Sequence, residues 1–141
     1  MNFFEGEILA FDKPYRASSF NVVYGVRNAL TARMGGRKIK VGHAGTLDPL
    51  ATGVLLLCTG RATKRIGELQ QMGKEYVATL KLGATTASYD MEHPENATFP
   101  TEHITKELIE QTLQRFVGEI QQIPPAFSAC KIDGKRSYRL A

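Results

Sequence analysis

The run Val54-Leu55-Leu56-Leu57-Cys58-Thr59 has no polar side of its own. A strand wetted on one face alternates apolar and polar residues with period two, so an unbroken apolar run predicts a strand covered on both faces. Such a strand needs neighbouring strands beside it and other elements packed above and below it. The chain around it must therefore supply a layered sheet.

The flanking sequence supplies those parts. Gly6 to Phe11 reads as a short strand, ended by a loop that begins at Asp12, because Pro14 has no amide hydrogen for a ladder. Ser18 or Ser19 can cap a helix whose Val22, Val23, Val26 and Leu30 share one face before Gly35-Gly36. Ile39 to Val41 reads as a small strand, and Gly42 to Pro49 as a tight, ordered loop leading into the central strand. Thr63 to Met72 resembles a short helix through Ile66 and Leu69. Tyr76, Ala78, Leu80 and Leu82 alternate with Val77, Thr79 and Lys81, which predicts a strand closed by Gly83.

Residues 84 to 103 are polar and turn-rich. Thr105 then caps a second surface helix carrying Leu108, Ile109, Leu113 and Phe116, with Gly118 near its end. Pro124-Pro125 breaks the chain, and Asp133-Gly134 is a hairpin turn signal between residues 128–132 and 135–138. This order predicts an α+β fold, a mixed and mainly antiparallel sheet with flanking helices.

Composition narrows the class. With 141 residues, 43% hydrophobic and 23% charged, the chain has ordinary soluble composition, and a net charge of +4 permits a polyanionic partner without demanding one. Cys58 and Cys130 stand far apart with no metal-ligand spacing and read as reduced thiols. The start lacks a basic leader with an apolar stretch, and no run approaches the roughly 18 apolar residues of a membrane helix. A cytoplasmic protein is expected.

Asp48 before Pro49 is, taken alone, an ordinary turn pair. Gly42, Gly45 and Gly53 around it would let a bulky substrate approach the backbone closely. His43 is a candidate for binding, or an idle loop histidine. Taken alone, Tyr76 reads as one more apolar-face residue of an alternating strand, and Lys64 as a solvated charge. Arg37, Lys38, Lys40, Lys131, Lys135, Arg136 and Arg139 are candidates for phosphate contacts.

The stretch Gly42-His43-Ala44-Gly45-Thr46-Leu47-Asp48-Pro49-Leu50-Ala51-Thr52-Gly53-Val54-Leu55 closely resembles the central motif of the TruB-type tRNA pseudouridine synthases. Asp12-Lys13-Pro14 with Ser18-Ser19 is similar to that family's opening motif, although Tyr15-Arg16 stands where a glycine is common in the second position. Gly60-Arg61-Ala62-Thr63-Lys64, Lys74-Glu75-Tyr76 and Leu82-Gly83-Ala84-Thr85-Thr86 keep the family's order. Asp90 also matches, while Ala87 replaces a frequent aspartate. Gln122-Ile123-Pro124-Pro125, Ser128-Ala129, Lys131 and Gly134-Lys135 resemble the segment that grips the tRNA T-arm, so residues 124–141 correspond to its beginning.

The resemblance implies isomerisation of uridine 55 in the tRNA T-loop to pseudouridine, without metal or organic cofactor. Asp48 becomes the catalytic carboxylate, with Tyr76, His43, Lys64 and Asp90 at the substrate and Lys131, Lys135 and Arg136 on RNA. The partner is the tRNA T-arm, with no membrane and no obligate protein partner. Two other readings are a catalytically silent RNA-binding or RNA-folding module and a guide-RNA-dependent synthase subunit. The chain corresponds to the N-terminal part of the catalytic domain. The family's arginine, in a Tyr-Ile-Arg-like motif, lies beyond Ala141, so the 141-residue fragment alone is expected to be inactive.

Overall fold

The computed structural model describes residues 1–123 and, further on, the backbone pairing of 131–132 with 135–136. It divides into two compact units, Met1–Tyr76 and Val77–Ala141.

The first unit is built on a three-stranded antiparallel sheet in the order β1-β3-β2, where β1 is Ile8–Lys13, β2 is Val41–His43 and β3 is Gly53–Thr59. The apolar run is the middle strand. Leu55 and Leu57 point to one face, where they meet Val23, Leu30, Ile39 and Val41. Cys58 and Leu56 point to the other, against Ala44, Ile66 and Leu69. Coverage of both faces is what a strand without polar positions needs, and only Val54, at its start, stays largely exposed.

Helix α1 spans Ser19–Arg33, and Ser18 is its cap, accepting the Asn21 N–H. Val23 and Leu30 are buried, and Val22 and Val26 pack beside them. After β3 the chain forms a 3-10 turn, Gly60–Arg65, and a short helix α2, Ile66–Gln70, which buries Leu69. No helix among the described residues is long and apolar enough to cross a membrane.

Three boundaries differ from the sequence reading. β1 begins at Ile8 and runs through Lys13, because Asp12 and Lys13 still pair with Val54 and Gly53, and the ladder ends only before Pro14. β2 lies two residues later than expected, so Gly42 and His43 belong to a strand, paired with Cys58 and Leu57, and Ile39 fills the core without joining the ladder. Residues 76–82 form no ladder despite their alternation, and Tyr76, Val77, Leu80 and Leu82 are exposed. Period two marks a face that suits a sheet; the strand itself needs a partner, and the described residues offer none here.

In the second unit a small hairpin occupies part of the stretch read as turns, β4 Ala84–Thr86 against β5 Glu95–Thr98. Helix α3, Lys106–Leu113, is capped by Thr105, whose hydroxyl accepts the Leu108 N–H, and runs into a 3-10 turn at Gln114–Phe116. β6, Lys131–Ile132, pairs antiparallel with β7, Lys135–Arg136. Pro124-Pro125, Ser128-Ala129, Cys130, the expected turn pair Asp133-Gly134 and Arg139 lie outside the described residues. Helices with antiparallel sheets give the α+β class expected.

Candidate active site

Asp48 lies in the turn before β3. Its carbonyl accepts the Ala51 N–H at 3.0 Å, closing the turn Asp48-Pro49-Leu50-Ala51. Proline at the second position presets the backbone angle such a turn uses. The loop also leaves β2 through Gly45 at φ 119° and enters β3 through Gly53 at φ 121°, angles that side-chain-bearing residues rarely adopt.

The residues on either side of Asp48 are pinned. Ser19, the first residue of α1 and buried, accepts the Leu47 N–H at 2.9 Å and donates its hydroxyl to the Leu47 carbonyl at 3.0 Å. The Pro49 carbonyl accepts the Arg16 N–H at 2.8 Å and the Lys13 ammonium at 3.3 Å. Lys13 is 0% exposed, and its ammonium also donates to the carbonyls of Pro14 at 3.1 Å and Ala17 at 2.6 Å. The three ammonium hydrogens thus tie the loop after β1 to the turn that carries Asp48. The Asp48 side chain itself is exposed. A fixed backbone with a free carboxylate is a preorganised arrangement, able to meet a substrate without first ordering the loop.

His43, in β2, turns its Nδ1 toward the Gly45 carbonyl. A carbonyl cannot donate, so Nδ1–H is the donor, and in the neutral ring Nε2 keeps its lone pair. Lys64 lies in the 3-10 turn and is exposed. Its basic neighbours are paired, Arg61 with Glu5 and Arg65 with Glu68, and no carboxylate pairs with Lys64 among the described residues. Beneath the loop, burial pushes the Cys58 thiol up, with Arg65 acting in the opposite direction.

The remaining expected site residues lie on other segments of the chain. Tyr76 is exposed in a segment that joins no ladder. Asp90 belongs to the second unit, where its carboxylate accepts the Ser88 hydroxyl at 2.5 Å and the Glu92 N–H at 2.8 Å. The β6–β7 register sets Lys131 opposite Arg136 and Ile132 opposite Lys135. Arg37, Lys38 and Lys40 are exposed, with Arg37 over the Phe4 ring at 4.3 Å.

Sequence reasoning did not single out Lys13 and Ser19 as the anchors of the Asp48 turn. A signal for Lys13 was present: in β1 it shares the inward phase of Leu9 and Phe11, where a lysine has to find polar partners. Ser19 carried no such signal, because either serine of Ser18-Ser19 could have been the cap.

Residues 29–141 match the family model described as TruB family pseudouridylate synthase (N terminal domain). The chain therefore belongs to the TruB family of pseudouridylate synthases. Over all 141 residues it is 64% identical to a tRNA pseudouridine synthase B of Phocaeicola vulgatus and 67% identical to one of Bacteroides fragilis. A tRNA pseudouridine synthase B of Flavobacterium johnsoniae is 54% identical over 99% of the chain. The chain spans 60%, 60% and 61% of these relatives' lengths.

Proposed function

We propose that the complete protein converts uridine 55 of the tRNA T-loop to pseudouridine, and that Asp48 is its catalytic carboxylate. The observation that carries this reading is the Asp48 turn itself, an exposed carboxylate between two anchored residues. That it lies in a chain of the pseudouridylate synthase family supports the same reading. The N-glycosidic bond breaks, the uracil turns, C5 bonds to C1′ of the ribose, and the C5 proton leaves while a nitrogen proton is gained. An ionised aspartate serves three routes: attack on the sugar carbon, attack on the base, or removal of a ribose proton.

A uridine stacked inside the T-loop has to be flipped out first, and an aromatic ring then replaces the lost stacking. Tyr76 takes that role, with His43, Lys64 and Asp90 as further substrate contacts. Lys131, Lys135 and Arg136 hold phosphates of the T-arm. Residues 1–141 form the N-terminal part of the catalytic domain, with 124–141 opening the T-arm grip. The protein works in the cytoplasm, without an obligate protein partner.

The test maps pseudouridine in tRNA treated with the complete protein and, in parallel, with residues 1–141. Pseudouridine at position 55 from the complete protein and none from the fragment is expected. Intact tRNA binding by a complete protein that leaves uridine 55 unchanged would turn the reading into an RNA-folding module.

A further inference from the structure

Arg16 has φ 64°, and Tyr89 is the other non-glycine residue at positive φ among the described residues. This region disfavours residues with a Cβ, and its usual occupants are glycine, asparagine and aspartate. Arginine lacks the short polar side chain with which asparagine and aspartate bond their own backbone there. The conformation is imposed from outside. The Arg16 N–H donates to the Pro49 carbonyl at 2.8 Å, and the buried Lys13 ammonium holds the carbonyls of Pro14 and Ala17 on either side. The strained residue is thus locked against the residue that follows Asp48.

The side chain contributes little to the fold. It is exposed, no carboxylate pairs with it among the described residues, and its guanidinium lies 5.5 Å from the ring of Tyr15, itself exposed. A strained backbone that presents a free guanidinium beside a reactive loop points to a ligand contact. We propose that Arg16 binds a phosphate of the RNA backbone next to the nucleotide offered to Asp48, with the Tyr15 ring backing the guanidinium. This deepens the reading of Asp48 as the catalytic carboxylate acting on RNA and rests on it. A planar guanidinium offers paired N–H donors that match two phosphate oxygens, and an aromatic face limits its freedom before binding.

The test is sharp because stability and affinity move in opposite directions. In the complete protein, Arg16→Gly relieves the backbone and raises the melting temperature by about 2 to 4 °C. The same change weakens binding of a tRNA transcript by about fivefold at roughly 0.1 M salt. It also flattens the dependence of log Kd on log salt by about 0.7, the share of one single-strand phosphate contact. Arg16→Ala loses the same affinity without the thermal gain, and Arg16→Lys keeps the salt slope. Unchanged affinity and slope for Arg16→Gly overturns the inference. A lowered melting temperature for Arg16→Gly also overturns it, by making the Tyr15 contact structural. Absence of pseudouridine from the unsubstituted complete protein instead overturns the reading beneath it.

Discussion

Residues 1–76 and 77–123 are held together in different ways. In the first stretch the central strand buries Leu55 and Leu57 on one side and Cys58 on the other, with Val23, Leu30, Ile39, Val41 and Leu69 closing the two layers. In the second, no apolar residue is buried among those described: Leu108, Ile109 and Leu113 of α3 are exposed, as are Leu80, Phe99 and Phe116. Its order rests on local hydrogen bonds, the Thr105 cap, the Asp90 turn, and the Phe99 N–H on the Gly83 carbonyl at 2.8 Å. A core fixes many residues at once, whereas a cap or turn fixes a few, so the Asp48 turn belongs to the stretch whose opening requires disrupting a core.

That contrast can be broken by substitution. The largest effect is expected for Lys13→Met, which leaves the Ala17 carbonyl without a donor and takes one of two donors from the carbonyls of Pro14 and Pro49, at about 3 to 5 kcal/mol of stability. Leu57→Ala should cost about 3 kcal/mol in urea unfolding, since Leu57 is 0% exposed. The matching change in the second stretch, Leu113→Ala, should cost below about 0.5 kcal/mol, Leu113 being 57% exposed. Equal losses for the two leucines would erase the distinction. Thr105→Ala removes a cap and should cost about 1 kcal/mol locally, read as faster amide exchange across α3 and not across β3.

The smallest effect concerns Cys58. Its pKa is raised by burial, so below the ordinary thiol range both folded and unfolded chains are neutral there and its contribution is complete. As pH rises, the unfolded chain ionises first, and stability falls until the folded pKa is passed. The urea midpoint should therefore drop between about pH 8 and pH 10 by more in the parent than in Cys58→Ala. Parallel pH curves for the two would remove the buried thiol from the account.

What the sequence disclosed follows the same division. The two-sided strand, a serine cap at Ser18 or Ser19, the α1 face and the Thr105 cap are patterns within a few residues of chain, and each was legible. Strand pairing is not local. β2 is fixed by its register with Leu57–Thr59, so its position could not be read from Ile39 to Val41 alone. Residues 76–82 carry the alternation of a strand but have no partner among the described residues, and the pairing went instead to Ala84–Thr86 and Glu95–Thr98. At the site, Asp48 and its glycines were visible as a motif. The clamps from Lys13 and Ser19 reach across 36 and 28 residues, and hydrogen bonds of that span leave almost no mark in a single sequence.

The most direct test of the account is Asp48→Asn in the complete protein, followed by single-turnover pseudouridine formation on tRNA. The substitution keeps the size of the side chain and the turn backbone, and removes the charge. The account predicts no measurable pseudouridine, with tRNA affinity within about threefold of the parent, because the carboxylate acts on the reaction and not on binding. Turnover retained at the parent rate would contradict it and return Asp48 to an ordinary residue of a proline turn.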